Sequence, residues 1–140
     1  MDKTVIDEIE ALYSTWKKKK GEYLYSTEME QVAIKRLFKV ANLLNIHALG
    51  IYKDNVLIGF LTYHIVQDGY SIFSFHKADI NFEGINAVLH QELAKSLHAK
   101  GVRFINCEQD LGIQGLRDAK TLWRPTHFLK KYTIGEKNHG

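Results

Sequence analysis

Apolar positions recur at helical spacing twice near the start of the chain. The first run is Ile6, Ile9, Leu12, Tyr13 and Trp16, with Thr4 and Asp7 at capping-box spacing before it and Gly21 after it. The pattern predicts an amphipathic helix. The second run is Met29, Val32, Ala33, Leu37, Val40, Ala41 and Leu44, preceded by Thr27 and Glu30 at the same capping spacing and closed by Asn45. It predicts a second amphipathic helix that buries this stripe.

From residue 46 the period changes from helical to strand-like. Strands are predicted over 46–52, 56–66 and 70–77, joined by turns at Asp54-Asn55 and Asp68-Gly69, which makes an antiparallel meander. The middle strand carries Leu57, Phe60, Leu61 and Ile65, apolar on both faces, so the sheet is expected to be covered on both sides. In the third strand, strict alternation puts Tyr70, Ile72, Ser74 and His76 on one face and Phe73, Phe75 and Lys77 on the other.

A polar loop over 78–84 leads into a helix over 85–100, which buries Ile85, Leu89, Leu93 and Leu97 and ends at Gly101. Two readings of the loop stand side by side. A strand, a short polar loop with Gly84 and a helix present backbone N–H groups to an anion. Equally, Gly84 permits close packing while Asp79 or Asn81 caps the helix. A strand over 102–107 follows, and the crossover implies that it runs parallel to the third strand, with Phe104, Asn106 and Glu108 on one face. A short helix over 113–122 carries Arg117 and Lys120 one turn apart, Trp123-Arg124-Pro125 ends it, and a last strand is predicted over 128–134. The sum is one α+β domain over 1–134, a mixed, mostly antiparallel sheet with helices on both faces, and a frayed polar tail over 135–140.

Composition changes this picture little. A chain of 140 residues supports one real core, and 45% hydrophobic with 25% charged residues excludes disordered and fibrous classes. The net charge of +3 does not by itself mark a nucleic-acid binder. Lys17, Lys18, Lys19 and Lys20 read either as a solvated helix end matched to the dipole or as a contact for RNA phosphates or an anionic lipid surface. The single cysteine, Cys107, excludes an internal disulfide and a cysteine-based metal site. His64, His90 and His98 lack metal-ligand spacing with acidic partners, so no metal is expected. With no signal-peptide pattern and no apolar run near the roughly 18 residues of a membrane span, a cytoplasmic protein without a transmembrane segment is expected.

The densest chemistry lies in residues 106–120, where Glu108, Asp110, Asp118, Arg117 and Lys120 stand among glycines directly after an apolar strand. Ligand sites of α/β arrangements collect at such strand ends. Glu108 and Asp110 are candidate bases or binders of an ammonium group. Lys77, Arg117 and Lys120 could neutralise phosphate or carboxylate, and Arg117 has the planar fork for a bidentate contact. Tyr132 could protonate a leaving group. The competing reading is structural: an ion-pair network fixing the loop, Asn106 and His76 satisfying buried partners, and Tyr132 packing.

The element order, with His76-Lys77-Ala78-Asp79, Gly84, Asn106, the run Glu108-Gln109-Asp110-Leu111-Gly112, Gly115-Leu116-Arg117, Ala119-Lys120, Pro125 and Lys131-Tyr132, resembles the carboxyl-terminal signature of the DUF2156 family. That family includes the soluble domain of phosphatidylglycerol lysyltransferase. The resemblance implies a GNAT-like fold, usually two such domains in tandem, and transfer of an aminoacyl group from tRNA to a lipid head group. On this reading an acyl-coenzyme A or aminoacyl-tRNA donor enters between parting strands that end at Lys77 and Cys107. Glu108, Asp110 and Tyr132 are then the catalytic candidates. His76, Lys77, Asp79, Asn81, Gly84, Asn106, Arg117 and Lys120 are the donor- and ligand-binding ones, and the acceptor is an amine or hydroxyl of a small molecule or lipid head group. The chain departs from the pattern by having room for one GNAT-like unit only, and by keeping only Gly84 of a glycine-rich coenzyme A loop. The alternative class is a non-catalytic GNAT-like binding module, a homodimer of which would mimic the tandem pair.

Overall fold

The computed structural model describes residues 3–20, 25–66 and 69–135, apart from the side chains of 19, 20 and 25–27. The side chain of Thr27, the Asp68 half of the second turn and nearly all of the tail lie outside the described residues; the backbone of Thr27 is already helical, in a helix that begins at Tyr25, so it does not hold the expected cap position. Packing divides the chain into two compact units, Met1–Glu108 and Gln109–Gly140. Each is described by itself.

The first unit holds α1 (Lys3–Lys20), α2 (Tyr25–Val40), β1 (His47–Lys53), β2 (Val56–Ile65), β3 (Tyr70–Ala78), α3 (Ile85–Ala99) and β4 (Phe104–Asn106). Its sheet runs β1-β2-β3-β4, antiparallel through β3 and parallel between β3 and β4. Asp54 and Asn55 both take positive φ, 50° and 61°, the conformation that a two-residue hairpin turn matching the strand twist requires.

Each face of the sheet carries its own core. On one, the four-residue spacing of Ile85, Leu89, Leu93 and Leu97 lays α3 against Ile58, Leu61, Tyr63 and Phe73, as the sequence predicts. Fully burying one such leucine contributes about 1.5–3 kcal/mol. Gly59 makes the approach possible, since a Cβ there would stand 3.1 Å from Leu89 Cδ1 and 3.3 Å from Ile85 Cγ1. On the other face α1 buries Ile9, Leu12 and Tyr13 against Leu57 and Phe60, with Ile34 and Phe38 of α2.

Four expectations need correction. In α2 the buried face is Ile34, Phe38 and the following Ala41, while Met29, Val32, Val40 and Leu44 are exposed. Two apolar stripes ride on this helix, and tertiary contacts rather than periodicity select between them. Alternation in β3 is broken by a bulge: Leu61 pairs His76 but Tyr63 pairs Phe73, so β3 holds one residue more than β2 between these pairs. Phe73 and His76 therefore come together, their ring centres 5.5 Å apart, while Phe75 and Lys77 reach the α1 side. Residues 128–134 form no strand, because a strand exists only with a partner and the four-stranded sheet does not include them. Finally, α3 has no side-chain cap: Gly84 occupies the N-cap position at φ 76°, and Asp79 Oδ1 accepts the Asn81 N–H at 3.0 Å in a turn of its own.

Thr62 pins the β3 bulge. Its buried Oγ1 accepts the Phe75 N–H at 3.1 Å, a backbone donor that the irregular register leaves without a strand carbonyl. Thr62→Val keeps the shape and removes the acceptor. The expected loss is about 1–3 kcal/mol in urea unfolding, the desolvation penalty of an orphaned donor, with faster hydrogen exchange at the Phe75 amide.

Candidate functional site

The register of the parallel pair sets the geometry. Tyr70, Ser71 and Ile72 pair with Phe104, Ile105 and Asn106, and there the ladder stops. β3 continues to Ala78, so residues 73–78 form an open sheet edge about 20 Å long at ~3.3 Å per residue. The strands part as the family resemblance implies, but their ends are not level. Asn106 lies opposite Ile72, which leaves Lys77 five residues further along. The chain therefore leaves β4 at the beginning of the open edge, and the 79–84 loop lies at its far end.

Where β4 ends, Asn106 Oδ1 accepts the Glu108 N–H at 2.8 Å, turning the backbone sharply. Glu108 is held at φ 56°, a left-handed conformation that costs an ordinary L-residue about 1–2 kcal/mol. At the far end, the Ile85 N–H is taken by the Phe82 carbonyl, and the first helical bond of α3 is Val88 N–H to Gly84 O. The Asn86 and Ala87 N–H groups thus have no helical carbonyl and stay available at the positive end of the helix dipole.

Lys77 and His76 stand on opposite faces of β3. His76 joins Phe73 and His90 of α3 in a group of three rings, with His76 and His90 centres 5.4 Å apart. The Lys77 ammonium is engaged under α1. It donates to Glu30 Oε1 at 2.8 Å and lies 4.7 Å from the Trp16 ring centre and 5.9 Å from that of Tyr13. The Tyr13 hydroxyl donates to the other Glu30 oxygen at 3.2 Å. Burial first, and then the Glu30 charge, raise the Tyr13 pKa above its usual value. Glu30, Tyr13 and Trp16 escaped the sequence reading as partners of Lys77. One signal was present: an acid at position 30 shares the stripe of Ile34 and Phe38, four and eight residues on.

In the second unit α4 spans Gln114–Thr121. Arg117 Nε donates to Asp110 Oδ2 at 2.6 Å, and Asp110 Oδ1 accepts the Gly112 N–H at 2.9 Å. The Arg117 hydrogen bond, then that of Gly112, hold the Asp110 carboxyl below the usual carboxylate range. This stabilising contribution is whole above the ordinary value of 3.8 and is lost as pH falls below it. Lys120 donates to the Gln109 carbonyl at 2.7 Å, and Lys131 to Gln109 Oε1 at 3.1 Å, so Gln109 is a hub that sequence spacing did not reveal. Asp110 and Arg117 thus meet each other, while Tyr132 is 77% exposed on an unpaired segment. Among the described residues no group of histidine, cysteine and carboxylate side chains is placed to hold a metal ion, and no helix is long and apolar enough to cross a membrane.

A mixed sheet whose parallel strands part after three pairs, with α1 and α2 on one face and α3 on the other, is the GNAT-type fold. The chain belongs to the phosphatidylglycerol lysyltransferase C-terminal family, whose family model matches residues 1–135. Solved structures agree on the fold. A conserved protein of unknown function from Bacteroides thetaiotaomicron superposes with a TM-score of 0.70 at 22% identity, over 86% of this chain and 40% of that one. An aminoglycoside acetyltransferase from an uncultured soil metagenomic sample, in complex with sisomicin, gives 0.65 at 16% identity, over 96% and 88%. An aminoglycoside N-acetyltransferase in complex with CoA gives 0.61 at 14% identity, over 99% and 96%. No curated protein matches the chain.

Proposed function

We propose that the chain is an acyl- or aminoacyltransferase domain whose donor lies along the open edge of β3. The observation that carries this reading is the short ladder between β3 and β4, which ends at Ile72 and Asn106 while β3 runs on to Ala78. A sheet edge of this kind offers backbone donors and acceptors to an extended, amide-bearing chain such as the arm of an acyl-coenzyme A, or to the aminoacyl end of a tRNA. Gly84 and the first turn of α3 receive the donor's phosphates through the Asn86 and Ala87 N–H groups. Glu108, at the point where β4 leaves the sheet, takes the proton of an amine or hydroxyl acceptor on a small molecule or lipid head group. The CoA-bound neighbour supports a thioester donor, and the family supports an aminoacyl one.

The test is a binding panel of coenzyme A, acetyl-coenzyme A, a lysyl-adenosine mimic and tRNA, read by thermal shift and hydrogen exchange. A true donor at a hundred times its Kd is expected to stabilise the fold by about 2.7 kcal/mol and to slow exchange at amides within 73–78. If no member of the panel protects that edge, the reading is lost. A second reading, a non-catalytic half that pairs with another copy, is favoured by the Bacteroides protein, which is more than twice as long as the region this chain covers. Light scattering that finds a strict monomer removes it.

A further inference from the structure

In the second unit, residues 121–134 hold large apolar side chains in water. Leu122, Phe128, Leu129, Tyr132 and Ile134 are each between 70% and 96% exposed. One such residue would be ordinary, but their concentration in so short a stretch is the mark of a surface that meets something apolar. The four-stranded sheet does not take up residues 128–134, so no strand ladder covers them. The same stretch carries Arg124, Lys130 and Lys131 and neither aspartate nor glutamate. Its charge of +3 equals the net charge of the whole chain, so the rest is balanced and the positive excess is concentrated here. Among the described residues none of the three cations stands in an ion pair, and Lys131 donates to a neutral oxygen, Gln109 Oε1.

We infer that this stretch docks on an anionic lipid surface, its apolar side chains at the boundary between head groups and acyl chains and its cations on the lipid phosphates. Stable attachment to a membrane surface takes an apolar and an electrostatic signal, and both lie here within one stretch. Tyr132, an apolar ring with a polar tip, suits the interface. Without a ladder to satisfy the backbone of 128–134, the segment stays in the hydrated boundary layer, since hydrocarbon would leave its N–H and C=O groups unpaired. Two rival partners fit less well. An RNA backbone offers phosphates to the cations but no apolar partner for Leu129 or Ile134. A second copy meeting the chain through the same stretch would set like charge against like. The docking does not depend on acyl transfer, so either can fail alone.

The test is co-sedimentation of the whole chain with vesicles of phosphatidylcholine, alone or with about one third phosphatidic acid. Phosphatidic acid supplies negative charge but neither an amine nor an alcohol, so its binding reads the surface and not an acceptor site. The chain is expected to partition onto the anionic vesicles about tenfold or more better than onto the neutral ones, and to release as salt is raised. Arg124→Gln with Lys130→Gln removes charge, and Phe128→Ser with Ile134→Ser removes apolar surface, all at exposed positions where the fold loses little. Each double variant is expected to weaken partitioning by about tenfold or more while keeping the native circular dichroism. Equal binding to neutral vesicles overturns the proposal, as does the absence of binding. Partitioning that survives either double variant assigns the attachment elsewhere and also overturns it, and so does a chain that ignores the vesicles but binds single-stranded RNA.

Discussion

Glu30→Ala is expected to lower the unfolding free energy by about 2 kcal/mol or more, one of the largest effects of any single polar substitution in this chain. The Lys77 side chain is 13% exposed and that of Glu30 29%, so water screens the pair only in part. Removing the carboxylate leaves an ammonium beneath α1 with only ring faces to offset its desolvation, and it takes the acceptor from the Tyr13 hydroxyl. The penalty of a fully buried pair, about 3–5 kcal/mol, is the upper limit. Glu30→Leu with Lys77→Met is expected to recover most of the loss, since apolar replacements of similar volume leave no charge stranded. Urea unfolding followed by tryptophan fluorescence measures these two variants and the singles Glu30→Leu and Lys77→Met, and simple additivity of the two single losses in the double variant would show that the pair is not coupled. The same group sets an alkaline limit. Tyr13 holds its proton more tightly in the fold than at the free value of 10.0, so its contribution is whole below pH 10 and is lost as pH rises beyond it.

The helix periodicity of Ile85, Leu89, Leu93 and Leu97 passed directly into the fold, because one apolar stripe admits one orientation. So did the hairpin at Asp54 and Asn55, whose residue types tolerate positive φ. In α2 two stripes competed, and the buried one packs Ile34 and Phe38 beside Leu57 and Phe60 and brings Glu30 to Lys77, residues 47 apart in sequence, contacts that no local pattern encodes. His76 and Lys77 were assigned to opposite faces correctly. Their neighbours were not, since a bulge pinned by a threonine hydroxyl exchanges the partners of every residue beyond it. The candidate site shows the same division. Spacing could place Arg117 and Lys120 on one helix but could not tell that Arg117 would reach back seven residues to Asp110, because that depends on the path of a loop with left-handed turns at Leu111 and Gly112. The parallel pairing of β3 and β4 was legible from topology and their parting was implied by the family resemblance, whereas the offset of their ends required the register.

Glu108→Gly is expected to move stability and transfer in opposite directions. Glu108 sits at φ 56°, where glycine is free of the Cβ clash, so the substitution should stabilise the chain by up to about 1 kcal/mol once the greater backbone entropy of glycine in the unfolded state is counted. Its N–H bond to Asn106 Oδ1 is a backbone contact and survives the change. If the carboxylate is the base of the proposed reaction, transfer falls about 10²–10⁴-fold in the same variant, and Glu108→Gln falls as far without the gain in stability. A residue kept in a strained conformation only to shape a turn gives the opposite result: glycine would serve better, and turnover would be retained. The two readings of Glu108 therefore separate on a single pair of measurements, the urea midpoint and the single-turnover transfer rate with the donor that protects residues 73–78. Retained transfer in Glu108→Gly would assign this carboxylate to the turn and move the search for the base elsewhere along the open edge.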